Sequence, residues 1–136
     1  MSLLKIDYLY PLNTSELLWD VDVVHGDYPA DKRCIRAKGI WDTGASDTAV
    51  VIGLVKALEL KMLDLPPRYI NTANGVFLSH AYEANISLSA KYRPIKMTVW
   101  DMPPGNIDVL IGMDIISKGN FVLNRCPDGI FFSFEI

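Results

Sequence analysis

Apolar residues along this chain come in short runs, and each run is closed by a cluster of turn-forming residues. Residues 17–24 alternate loosely between apolar and polar, with Asp20 and Asp22 on the wet side, and predict a strand. His25-Gly26-Asp27-Tyr28-Pro29 predicts the turn that ends it. Cys34–Trp41 predicts a second strand that runs directly into Asp42-Thr43-Gly44. Beyond this loop the apolar spacing changes: Ile52, Val55, Leu58 and Met62 recur at helical intervals, which predicts a short helix over 53–60, stopped before Pro66-Pro67. Residues 69–72 and 76–78 flank Ala73-Asn74-Gly75 and predict a hairpin. Further strands are expected over 82–88, 95–100, 107–111 and 129–136, with a second short helix over 114–118 stopped by Gly119. Many short strands with one or two minor helices predict a mostly β, barrel-like domain.

Composition narrows the class. The 136 residues are half hydrophobic, enough for one domain (1–136) with one core. A formal net charge of −3 argues against nucleic acid or an anionic membrane as partner, since both select a basic surface. Two cysteines, Cys34 and Cys126, do not make a disulfide framework or a metal-binding pair, and are expected to be buried or half-buried thiols. His25 and His80 stand apart from other ligating residues, so no metal and no cofactor is expected. Lys5 and Asp7 interrupt what would be the apolar core of a signal peptide, and the longest apolar stretch, 49–55, is too short to span a bilayer. The expected location is cytoplasmic.

The chemistry-bearing feature is Asp42-Thr43-Gly44-Ala45-Ser46. An apolar strand delivers a carboxylate to a tight loop. Gly44 lets the backbone approach and point an amide at that carboxylate. Thr43 adds a compact hydroxyl, while Ala45 and Ser46 keep the wall small enough for a peptide to lie against it. One carboxylate is a weak catalyst of amide hydrolysis, which needs both a base for water and an acid for the leaving group. Two carboxylates held close share one proton and meet both needs, a dyad for which aspartic proteases are the standard example. Asp-Thr-Gly occurs once here, so a dyad requires a second copy of the chain on a two-fold axis.

The segment Asp42-Thr43-Gly44-Ala45-Ser46 resembles the active-site signature of retropepsin-like aspartic proteases, the single-domain homodimeric relatives of pepsin. Three features follow in that family's order: Thr72-Ala73-Asn74-Gly75 where the substrate-covering flap lies, Val109-Leu110-Ile111-Gly112 where a motif packs behind the catalytic loop, and Asp114-Ile115-Ile116-Ser117 where a short helix follows. The resemblance covers about 15–136. It implies a single-domain retropepsin-like barrel, an aspartic endopeptidase acting on a peptide or protein substrate, and a symmetric homodimer whose chain ends help join the subunits. By the same resemblance Asp42 is the catalytic carboxylate, Thr43 bonds across the two-fold axis, and the Gly44 carbonyl accepts from substrate. Ala45, Ser46 and Asp47 line the cleft, Ala73, Asn74 and Gly75 close over the peptide, and Leu110, Ile111 and Gly112 support the loop.

Two departures from the family pattern matter, the first of them from the viral members. Ser46 and Met113 stand where an acidic residue and an arginine often pair, so that brace is missing. Trp41 stands where an aliphatic residue usually precedes the aspartate. Simpler readings remain open at this level: Asp42-Thr43-Gly44 as a plain turn, 109–111 as an ordinary core strand, Ala73-Asn74-Gly75 as a mere hairpin turn, Asp108 as a turn residue and Asp114 as a helix cap. The rival function is a catalytically inactive dimeric domain of the same fold that binds peptide or serves assembly.

Overall fold

The computed structural model describes residues 3–136. The barrel begins with β2 (Leu18–His25) and β3 (Cys34–Trp41), antiparallel with Val21 opposite Ala37 and Val23 opposite Ile35. Alternation buries Val21, Val23 and Ala37 and turns Asp22 and Arg36 outward, where they pair at 3.1 Å. β10 (Val109–Ile111) lies parallel to β3 and antiparallel to β4 (Ala49–Val51), and β4 lies parallel to β9 (Ile95–Met102). β9 pairs with β8 (Ala81–Ser87), and β8 returns to β2 with Ile86 opposite Val23. That last pairing closes the ring, which leaves those six strands no long open edge. β5 (Lys61–Met62) adds a two-residue extension to β8.

The mostly β barrel with two short helices is the one the hydrophobic pattern predicts, with shifted boundaries. α1 is Ile52–Ala57 and stops well before Pro66-Pro67. Glu59 takes the left-handed conformation (φ 52°), and the Glu59 and Leu60 amides bond back to the Lys56 and Val55 carbonyls, which turns the chain out of the helix. α2 is Met113–Ile116, one residue earlier than expected and shorter.

A second, three-stranded sheet runs β1-β12-β11, formed by β1 (Lys5–Tyr10), β12 (Gly129–Glu135) and β11 (Asn120–Cys126). The apolar pattern does not predict β1 or β11, because charged and amide residues dilute it in both. β12 supplies Phe132 and Phe134, both fully buried, and Ile6 and Tyr10 of β1 are buried beside them. Trp41 packs into this aromatic layer, with ring centroids 5.1 Å from both Phe132 and Phe134 and 5.9 Å from Phe121. The large ring at position 41 therefore fills the core between the two sheets. Cys34 is exposed, which corrects the expectation of a buried thiol. Cys126 is half-buried, and both are free.

Candidate active site

β3 ends at Trp41 and hands Asp42 to the loop. The Asp42 amide donates to the Ile111 carbonyl at 2.9 Å, so β10 fixes where the carboxylate begins. Gly44 N–H donates to Asp42 Oδ1 at 2.9 Å, and Ala45 N–H donates to the Asp42 carbonyl at 3.2 Å. A Cβ on residue 44 would stand 3.2 Å from that same Oδ1, crowding the oxygen that the amide serves. Asp42 Oδ2 accepts no hydrogen bond among the described residues. The aspartate is half-buried, and Thr43 and Gly44 are exposed at the loop tip. One oxygen is thus held by backbone and the other is open to a ligand or a proton.

The loop is locked from below. A Cβ at Gly112 would lie 2.6 Å from the Asp47 carbonyl carbon and 3.0 Å from the Ala45 oxygen, so the loop passes where only glycine fits. Met113 N–H donates to the Ala45 carbonyl at 2.8 Å, and Asp114 N–H to the Ser46 carbonyl at 3.2 Å. The Asp114 carboxylate accepts from Thr48 N–H at 2.9 Å and from Thr48 Oγ1 at 2.7 Å, while Thr48 Oγ1 accepts from Gly112 N–H at 3.2 Å. Thr48 is completely buried. Asp114 therefore does not cap α2, whose N-cap is Gly112 without a side-chain bond. It ties the first turn of α2 to the exit of the loop. Sequence reasoning did not single out Thr48 or this use of Asp114. The available signal was an acidic residue two positions past Gly112.

β6 (Arg68–Thr72) and β7 (Gly75–Ser79) form a hairpin paired only with itself. Thr72 Oγ1 accepts from Asn74 N–H and donates to the Gly75 carbonyl, which closes the turn, and Gly75 takes φ 115°. Arg68, Ile70, Thr72, Phe77 and Ser79 share one face of this hairpin. Tyr69 and Val76 stand on the other, 78% and 65% exposed. The first face covers a cleft of about 530 Å³. Gly44, Ala45, Ser46, Asp47 and Leu110 line it from the loop side, and Arg68, Ile70 and Thr72 from the hairpin side. Ala73, Asn74 and Gly75 sit at the exposed tip and do not line it in the single chain. Ile111 and Gly112 are buried behind it.

Arg68, Trp100 and Asp101, none of them anticipated as site residues, also line the cleft. Arg68 Nη1 donates to Asp47 Oδ2 at 2.5 Å, and its guanidinium lies 3.9 Å from the centre of the Trp100 ring. Asp101 is buried and accepts from His80 N–H at 2.7 Å. The pair expected to be missing at Ser46 and Met113 is indeed absent from those positions, and an ion pair one residue further on joins the loop to the hairpin instead. A larger groove of about 670 Å³, lined by Tyr8, Trp19, Asp22 and Arg36 among others, contains none of the predicted site residues.

The aspartyl protease family model matches residues 31–115, a span from just before β3 into α2 that includes the loop, the hairpin and the supporting strand. No curated protein matches the chain. Among solved structures, a retropepsin-like aspartic protease from Rickettsia conorii is similar over 98% of this chain and 94% of its own, with a TM-score of 0.53 and 16% identity. EIAV protease, solved in complex with the inhibitor HBY-793, is similar over 82% of this chain and 93% of its own, with a TM-score of 0.57 and 17% identity. At these identities the likeness is one of fold, and that fold is retropepsin-like.

Proposed function

This chain belongs to the aspartyl protease family, and we propose that two copies combine into an endopeptidase whose dyad is one Asp42 from each. The observation that carries this reading is the setting of Asp42: half-buried, one oxygen fixed by Gly44 N–H and the other unbonded among the described residues, in a loop locked by Gly112 and Asp114. A carboxylate built for support would be satisfied on both oxygens, as Asp114 is. The single Asp-Thr-Gly makes the second carboxylate a partner's.

In the dimer the two carboxylates share a proton and hold a water between them. The unprotonated one takes a proton from the water as its oxygen bonds to the scissile carbonyl carbon. The protonated one gives its proton to the carbonyl oxygen. As the resulting diol collapses, one of its hydroxyls returns a proton to the unprotonated carboxylate while the protonated one gives its proton to the nitrogen, the C–N bond breaks, and the dyad regains its starting charge. Gly44 accepts a hydrogen bond from the substrate backbone, Thr43 braces the paired loops, and the wall of Ala45, Ser46 and Asp47 fixes the peptide. Ala73, Asn74 and Gly75 close over the bound peptide and exclude water.

Asp42→Asn is expected to fold and dimerise as the parent does and to lose roughly a thousandfold or more in peptide cleavage. Cleavage of a peptide library, read beside sedimentation in solution, tests this. A variant with undiminished activity overturns the assignment. A strictly monomeric parent at high concentration counts against proteolysis, and a dimer that binds peptide without cutting it points to the inactive domain instead.

A further inference from the structure

Three arginines of this chain grip carboxylates, Arg33, Arg36 and Arg68, and the difference between the first and the last is informative. Arg33 is loaded on both edges of its fork: Nε and Nη2 donate to Asp31 at 3.1 and 2.8 Å, and Nη1 donates to Glu59 at 2.8 Å. Arg68 is loaded on one. Its Nη1 holds Asp47, whereas Nε and Nη2 donate no hydrogen bond among the described residues. The two side chains are similarly exposed, 46% for Arg33 and 53% for Arg68. The bidentate edge, which Arg33 gives to Asp31, is the edge Arg68 keeps free.

That edge belongs to the cleft. Arg68 opens β6 on the hairpin face that also carries Ile70 and Thr72, and it is the one cation among the lining residues. Its orientation is set in advance. Asp47 anchors Nη1 from a loop that Gly112 and Asp114 immobilise, and the Trp100 ring supports the guanidinium plane. A planar fork fixed in this way gives up less side-chain freedom when a second carboxylate arrives, and its geometry matches a carboxylate bidentately. The other acid on the wall, Asp101, is buried and bonded to the His80 amide, so it does not compete for the fork.

We propose that Arg68 is a specificity-determining residue, selecting peptides that carry an Asp or Glu side chain at the cleft position beside Asp47; this rests on the proteolytic function proposed for the cleft. The neutral isosteres Gln and Asn leave the fork half served, and a substrate Lys meets a fixed cation.

The test compares peptides that differ only by Glu or Gln at each position around the scissile bond. In the parent enzyme one position should favour Glu by about tenfold in kcat/KM, mostly through KM, a size typical of a charged hydrogen-bond pair discounted for partial exposure. Arg68→Met should remove the preference, and Arg68→Lys, which keeps the charge and loses the fork, should retain part of it. Equal rates for Glu and Gln at every position overturn the proposal. So does an Arg68→Met variant that slows both peptides alike, because that is the signature of a displaced hairpin. The same peptides are titrated by fluorescence anisotropy against Asp42→Asn protein, where nothing is cleaved. An Arg68-dependent preference for Glu in binding, together with a parent that never cleaves, upholds the acidic subsite and overturns the protease. Binding without preference overturns the subsite whatever the parent does.

Discussion

Single residues carry consequences that side-chain size and titration expose. Gly112 is irreplaceable on steric grounds, since any Cβ would enter the backbone of Asp47. Gly112→Ala should cost about 1–3 kcal/mol by overpacking and should push the loop that holds Asp42 out of place. Chemical denaturation paired with peptide cleavage checks both, and a variant that keeps its stability and activity would show the loop can shift freely. Tyr10 offers a pH reading. Burial pushes its phenol up from 10 to about 12, and the Tyr8 beside it adds to the rise. Its hydroxyl donates to the Leu18 carbonyl at 2.6 Å. A group whose pKa is raised by folding stabilises the fold fully below its unfolded value and loses that contribution as the pH climbs through the folded one. Stability should therefore fall between pH 10 and about 12, and Tyr10→Phe should flatten that part of the profile. Tyrosinate absorbance followed alongside circular dichroism measures it. At this scale the sequence was legible where chemistry needs one residue type: Asp42, Gly44 and Gly112 stand out unaided. Arg68 and Thr48 do not, since an exposed arginine and a buried threonine are common, and only their neighbours give them a role.

Among the elements, the loop and α2 behave as one unit joined through Asp114. Its carboxylate accepts from Thr48 N–H, Thr48 Oγ1 and Ile115 N–H, and the Thr48 hydroxyl in turn serves Gly112. Asp114→Ala orphans a buried amide and hydroxyl together and should cost about 2–3 kcal/mol. Asp114→Asn, which keeps one acceptor, should cost less. Urea unfolding of the two variants orders them, and equal losses would mean the carboxylate's charge alone matters. The strand-forming pattern foretold the barrel because short apolar runs between turn clusters mark its strands: β3 alternates between buried and wet positions, whereas β8 has no exposed position and reads as a continuous run. It failed for β1 and β11 because their inward residues are too few among polar ones, and both owe their place to β12 between them. A strand that forms by pairing with a strongly apolar neighbour leaves little trace in its own sequence.

For the whole molecule, the terminal sheet decides how folding relates to assembly. The chain ends are expected to help join two subunits, and within one chain β12 lies between β1 and β11, with Phe132 and Phe134 completely buried without a second copy. The barrel likewise closes on itself through β2 and β8. Each chain thus completes its own core, and the edges of β1 and β11, the exposed loop at Thr43 and half-exposed residues such as Leu9, Leu123 and Phe131 are among the surfaces left to meet a partner. Core burial of this kind sets stability, whereas the proposed dyad depends on the meeting of two chains, so the two properties should separate on dilution. Cleavage per molecule is expected to fall in proportion to concentration below the dimer dissociation constant, while far-ultraviolet circular dichroism keeps its native β signature over the same range. Phe132→Ala should do the reverse, lowering the thermal midpoint through a cavity worth about 3–5 kcal/mol at every concentration. Loss of structure in step with loss of activity on dilution would mean instead that the fold, and not only the active site, requires the second chain.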